Sequence, residues 1–319
     1  MAAFLACVVC ASCSQDELAD NGQGTPLPVG QYPLELTAGG LQAVATPAQT
    51  STRGTVDGDW NGVQSVMVQD GENAPKAYHV TATGDKKTAT LSSDDPFWWT
   101  NVIETKTVAA WHPARHPDDE SINFENRIPV EKDKWSVPAD QSIEGFDGSA
   151  YDFIYAYKKI PFANHEDARL EFRHLLSKVV VNLEKSEYLS ANSNDVSVSL
   201  INCALSGTFR YSGEDLSLRS GYQDKRITMR KVATNDDAFA SYDALVFPQG
   251  VMDRNINVLV QVGTTSYTWH VQMQDNMFYG GICYTFNITV DAKGLNVSVE
   301  KSIGWNPDGA SGDGSVVLP

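Results

Sequence analysis

An all-β fold is predicted by three features: short runs of alternating apolar and polar residues, turn residues between them at close intervals, and scarce helical periodicity. Tyr78 to Leu91 reads as a hairpin, with Gly84 and Asp85 supplying a turn that tolerates positive φ. Val196 to Leu200, Ile256 to Val262 and Tyr284 to Val290 alternate in the same way and read as strands with one buried face. The best helical candidate, Glu166 to Leu176, is short and weakly amphipathic. Its continuation, Leu175 to Leu183, carries β-branched Val179, Val180 and Val181 and reads as a strand.

The chain has 319 residues, which fits two domains at roughly 150 residues each. Glu187 to Asp195, including Ser190 to Asn194, is the most loop-like stretch near mid-chain. The boundary is therefore predicted there, between an N-terminal β-sandwich over residues 31–190 and a C-terminal β-sandwich over 191–319. Phe97, Trp98 and Trp99, with Trp111 and Trp135, are expected to fill the first core, because aromatic rings dominate burial in sandwiches of this size. A carbohydrate-stacking platform is the functional alternative for the same rings.

Ahead of Arg53, the first basic residue, an apolar run from Phe4 to Val9 closes on Cys10-Ala11-Ser12-Cys13 and then Ser14-Gln15-Asp16-Glu17. A run this short with small residues behind it is the layout of a secretory leader rather than of a membrane span. Residues 1–13 are thus expected to be a lipoprotein signal peptide with Cys13 the lipidated residue; Cys10 is the fallback site. The alternative is a buried N-terminal strand, which the polar residues after Cys13 would interrupt. No Lys or Arg precedes the run, so the true start is expected upstream of Met1. Residues 14–30, rich in Gly, Pro, Asn and Asp, read as a flexible tether. The several acyl chains of a bacterial lipoprotein would anchor it firmly to the outer membrane.

The net charge of -16 and pI near 4.7 argue against a nucleic-acid partner. Three of the five cysteines belong to the leader. Cys203 and Cys283 remain, both in strand-like runs, and either form one disulfide or stay as two buried thiols.

No enzymatic chemistry and no cofactor are predicted. His112 and His116, with Asp118, Asp119 and Glu120, form the one cluster resembling a metal site, but Pro113 and Pro117 forbid the helix that would align the imidazoles. A solvated loop is expected there. His174, beside apolar neighbours, reads as a core histidine donating to a backbone carbonyl rather than a catalytic base. Gly309, Gly312 and Gly314 have no helix behind them to hold a phosphate, and Asn306 to Gly309 with Asp313 lacks the spaced ligands calcium needs.

Several segments together resemble the Bacteroidetes fimbrillin family, the subunits and accessory proteins of type V pili. Ala139 to Ser142 leads through Asp152 to Ala156 into Leu170 to Val181, where Phe172, His174, Ser177, Lys178 and Val179 match the family's Phe-x-His-x-x-Ser-Lys-Val stretch. Leu245 to Gln249, Gly280 to Val290, Gly294 to Val299 and Ile303 to Trp305 are similar to its C-terminal half. The acidic residues behind Cys13 resemble the surface-export signal of Bacteroidetes lipoproteins. The resemblance implies two tandem transthyretin-like antiparallel sandwiches, a fimbrium at the outer-membrane surface, and polymerisation by strand exchange with other pilus subunits. It also implies cleavage after Arg53, before Gly54, releasing Tyr32 to Thr37 with Leu41 to Ala45 as the removable strand. Arg53 could equally be a surface arginine between two strands. Adhesion to a host or bacterial surface receptor is the expected purpose. The alternative is a glycan-binding surface lipoprotein using exposed tryptophans such as Trp98 or Trp269.

Overall fold

The computed structural model describes residues 24–41, 60–184, 186–189, 193–222, 224–233, 238–291 and 294–302. The regular structure among them is β-strand, interrupted by short 3-10 turns, with no α-helix. The all-β prediction holds. Glu166 to Leu176, the helical candidate, instead holds the end of a 3-10 stretch, Phe162–Asp167, and the strands Arg169–Glu171 and Arg173–His174. Weak amphipathicity there loses to pairing on both flanks.

Eight strands form the first sheet, in the order Arg169–Glu171, Leu36–Gly39, Ala89–Ser92, Lys76–Ala82, Ser65–Asp70, Thr105–His112, Ile154–Pro161 and Arg173–His174. The sheet curls on itself, so that Lys158 of the seventh strand donates to the Arg169 carbonyl of the first at 2.8 Å. Alternation distributes its central side chains between two cores. Val66, Val68, Val108, Ala110 and Ile154 pack inside the curl with Tyr78, Leu91 and Trp99, while Met67, Ala109, Trp111 and Tyr155 face outward into a second core. Burial on both faces explains why these strands read as nearly unbroken apolar runs.

The second core is roofed by a three-stranded sheet built from both halves of the chain: Lys134–Ser136, Ser206–Tyr211 and Leu216–Ser220. Trp135 sits at its centre, 5.2 Å from the Phe153 ring and 4.8 Å from His116, both edge-on. Its indole N–H donates to the Tyr151 carbonyl at 2.8 Å. The roof approaches closely at Gly207, where a Cβ would lie 2.1 Å from the Arg219 carbonyl oxygen and 2.8 Å from the Phe247 ring.

The third core lies between a five-stranded sheet (Arg230–Val232, Ala238–Val246, Ser177–Glu184, Cys283–Asp291, Gly294–Ser302) and a four-stranded sheet (Asp224–Thr228, Val196–Ala204, Asn257–Val262, Thr265–His270). The three strands expected at 196–200, 256–262 and 284–290 are all here. Ser177–Glu184, assigned by sequence to the N-terminal unit of 31–190, pairs with Ala238–Val246 and in parallel with Cys283–Asp291. Its valines revealed a strand, but a partner a hundred residues away has no local signature.

The hairpin Lys76–Ala82 to Ala89–Ser92 forms as predicted, with Ala82 opposite Ala89. Its turn is longer than foreseen, however. Thr83 N donates to the Thr88 carbonyl, Asp85 accepts from the Thr83 hydroxyl and Lys87 N, and the positive φ of 60° falls on Lys86.

A strap over Ala139 to Ser142 ties the middle of the chain to the C-terminal sandwich. The Gln141 amide is fully buried, accepts from Leu245 N and donates to Leu245 O, both at 2.9 Å. Thr228 N donates to the Ala139 carbonyl, and Gln141 N donates to the Thr228 carbonyl. Gln141→Leu removes both side-chain bonds to Leu245, and an unmet buried group costs about 1–3 kcal/mol. We expect a clear fall in the urea midpoint. Gly207→Ala drives a methyl into backbone and should cost about 1–3 kcal/mol, measured as a lowered Tm.

Candidate strand-exchange groove

The segment most open to a functional reading is the one nearest the N-terminus among the described residues. Leu36–Gly39 is not an edge strand. It runs antiparallel to Ala89–Ser92, with Leu36 opposite Leu91, and parallel to Arg169–Glu171, with Thr37 opposite Arg169. Leu34, Leu36, Ala38 and Leu41 are each 0–1 % exposed and all enter the inner core. Backbone bonds extend the hold along the segment: Leu34 N to the Phe97 carbonyl at 2.7 Å, Trp99 N to Tyr32, Thr37 N to Ala168, and Phe172 N to the Gly39 carbonyl.

Lifting Leu36–Gly39 out would therefore do two things at once. It would bare the outer N–H and C=O groups of Ala89–Ser92, and it would open a slot lined by Leu91, Val66, Val68, Leu170 and Phe172. Arg169–Glu171 would lose its only strand partner in the sheet and keep its link to Lys158. Each buried leucine contributes about 1.5–3 kcal/mol, so an incoming strand must bring apolar side chains at the same alternate positions.

The other residues singled out by sequence are structural where the structure describes them. Phe97, Trp99, Trp111 and Trp135 are buried, but they do not fill one core: Phe97 and Trp99 lie in the inner core and Trp111 and Trp135 in the second, because successive strand residues face opposite sides of the sheet. Trp98, expected in the core, is instead 38 % exposed because its neighbours Phe97 and Trp99 take the inward positions, and Trp269 packs edge-on against Phe286 at 5.2 Å. His112 and His116 do not lie in a solvated loop. His112 Nδ1 bonds the Ser65 carbonyl at 2.8 Å, and burial lowers its pKa. His116 is 5 % exposed; it accepts from Asp118 N at Nδ1, which leaves Nε2–H to donate to the Ser136 carbonyl at 3.0 Å. His174 is buried as predicted, but its partner is a carboxylate: Nδ1 lies 2.6 Å from Asp152 Oδ2. Among the described residues, no three His, Cys, Asp or Glu side chains gather as metal ligands would.

Cys203 and Cys283 are not joined. A bulge at Asn202, with φ of 66°, turns Cys203 into the third core. Cys283 precedes Tyr284 and so points away from that core, packing against the second one. Cys10, Cys13, Arg53, Gly54, the 42–45 part of the removable segment and the 303–319 tail lie outside the described residues.

A family model described as fimbrillin-like matches residues 52–304. The chain belongs to the fimbrillin-like family. Membership makes it a fimbrial structural protein rather than an enzyme. Solved structures agree on the fold. A proposed cell adhesion protein from Bacteroides uniformis superposes with a TM-score of 0.59 at 18 % identity, covering 86 % of this chain and 98 % of that one. One from Bacteroides ovatus gives a TM-score of 0.55 at 16 % identity, covering 85 % and 96 %. No curated protein matches the chain.

The family resemblance pointed to Tyr32 to Thr37 with Leu41 to Ala45, and the strand observed there is Leu36–Gly39, which shares only Leu36 and Thr37 with that expectation. What the resemblance could not supply was the slot, whose walls come from strands some fifty and one hundred and thirty residues further on. Leu36→Ala should destabilise the inner core by about 2–5 kcal/mol, read as a lower denaturant midpoint. Glu35→Ala, on the exposed side of the same segment, should change it by no more than about 0.5 kcal/mol.

Proposed function

We propose that this fimbrillin-like chain is a pilus subunit assembled by β-strand complementation. It is exported as an outer-membrane lipoprotein precursor through Cys13 and freed of its own N-terminal strand by cleavage between Arg53 and Gly54. One observation carries the reading: Leu36–Gly39 occupies an interior position in the first sheet although it precedes every other described strand in sequence. A strand so placed is both well held and removable in one cut, since no other described strand precedes it.

The vacated slot selects its occupant by two criteria. Main-chain groups of Ala89–Ser92 and Arg169–Glu171 require an extended backbone, and the inner core requires small or branched apolar side chains at every second residue. A strand from a neighbouring subunit meets both, and serial exchange of this kind builds a filament whose purpose is adhesion to a host or bacterial surface. Within each subunit, the architecture is read as two tandem transthyretin-like β-sandwiches. The pairing of Ser177–Glu184 favours a division just before Ser177, not at residue 190.

Arg53 is the first basic residue, flanked by Ser51, Thr52 and Gly54. Brief trypsin treatment is thus expected to trim the chain first after Arg53 and to convert monomers to multimers, followed by light scattering and N-terminal sequencing. Trimmed protein that stays monomeric at high concentration would count against a shaft role. Arg53→Ala should leave monomers intact under the same treatment.

A further inference from the structure

The inner core contains a charged group that strand patterning does not explain. Lys106 shares its face of Thr105–His112 with Val108 and Ala110, so alternation points it inward. Its side chain is 5 % exposed, and its ammonium lies 2.7 Å from Asp70 Oδ2 and 2.8 Å from Glu104 Oε1. The same nitrogen sits 5.2 Å from the centre of the Trp99 ring. Asp70 is itself only 12 % exposed, and its other oxygen, Oδ1, accepts from Thr107 N at 3.2 Å. Glu104 is held by its second oxygen, which accepts from Thr100 N at 2.7 Å and the Thr100 hydroxyl at 2.9 Å.

We infer that Lys106 and Asp70 condense to a side-chain amide that cross-links Ser65–Asp70 to Thr105–His112, with Glu104 carrying the proton. Each part of the chemistry has an atom in place. Burying an ammonium and a carboxylate is costly in a poorly hydrated site. Passing a proton from nitrogen to oxygen neutralises both, and the amide that follows removes the two charges for good. The amine then attacks Asp70 Cγ, while Thr107 N–H steadies the charge that develops on Oδ1. Glu104 Oε1 takes a proton from the attacking nitrogen and hands it to Oδ2. The Nζ–Cγ bond forms, the Cγ–Oδ2 bond breaks, and Oδ2 leaves as water whose protons both come from the original ammonium. Nothing is oxidised or reduced, and Glu104 ends as it began.

Burial alone would raise the Glu104 carboxyl, but hydrogen bonds from Lys106 and Thr100 outweigh it and hold the pKa below its ordinary value, leaving a base available. Fixing amine and carboxyl in contact supplies the orientation such a condensation needs. The reaction occurs once per chain. Its product would lock the pair of strands that borders the inner core, independently of how subunits assemble.

Tryptic digestion of the folded, purified protein followed by peptide mass analysis tests this. The peptide containing Asp70 should be joined to the peptide containing Lys106, lighter by one water than their sum, in nearly all molecules. Glu104→Gln and Lys106→Arg, checked for folding by circular dichroism, should each give separate peptides. Glu104→Gln keeps the shape of the site, so it serves even where Lys106→Arg fails to fold. Separate peptides from the native protein would overturn the cross-link, leaving an ion pair. Joined peptides from Glu104→Gln at native yield would overturn the role of Glu104.

Discussion

The central strands of the eight-stranded sheet, Ser65–Asp70, Thr105–His112 and the first half of Ile154–Pro161, are buried on both faces, and the packing around them answers to that constraint. The sheet's inner face closes where the sheet curls and Leu36–Gly39 fills the gap between Ala89–Ser92 and Arg169–Glu171. Its outer face closes only when residues from beyond position 200 fold back over Trp111, Phe153 and Tyr155. The hydrophobic effect thus couples Leu36–Gly39 to strands from three other parts of the chain.

The framework is stiffened where sheets meet. Phe124, Trp135, Phe153 and Phe209 contact one another edge-on or tilted, with centroids 4.8–6.3 Å apart, so the second core joins the curled sheet to the C-terminal sandwich through interlocking rings. Buried polar side chains sit at these junctions and satisfy backbone that no strand reaches. Gln141 supplies Leu245 with the hydrogen bonds of an absent neighbour. Tyr284 does the same for Met277 and Tyr279, and burial raises its pKa.

Charge acts at longer range. A net charge of -16 spread over the surface keeps such a protein soluble and repels nucleic acid. Most described ion pairs, such as Arg115–Glu125 and Lys159–Glu214, are exposed and contribute little. Arg230, Lys178 and Asp243 are the exception in the C-terminal sandwich, where they are mostly buried beside the Gln141 strap.

Strand positions were legible because alternation and β-branching are local: Val196–Ala204, Asn257–Val262, Cys283–Asp291 and the Lys76–Ser92 hairpin could be read directly. So could the burial of Phe97, Trp99, Trp111 and Trp135. Partner choice was not legible. Ser177–Glu184 looks the same whichever sheet receives it, the bulge at Asn202 decides where Cys203 points, and Asp152 reaches His174 only through the chain's path in space. A lone inward-facing lysine such as Lys106 has meaning only beside Asp70 and Glu104, and Asp70 reaches it only across paired strands. Local chain chemistry sets which residues extend and which side is apolar; which strand lies next to which depends on contacts between distant residues, and these exist only once the chain has folded.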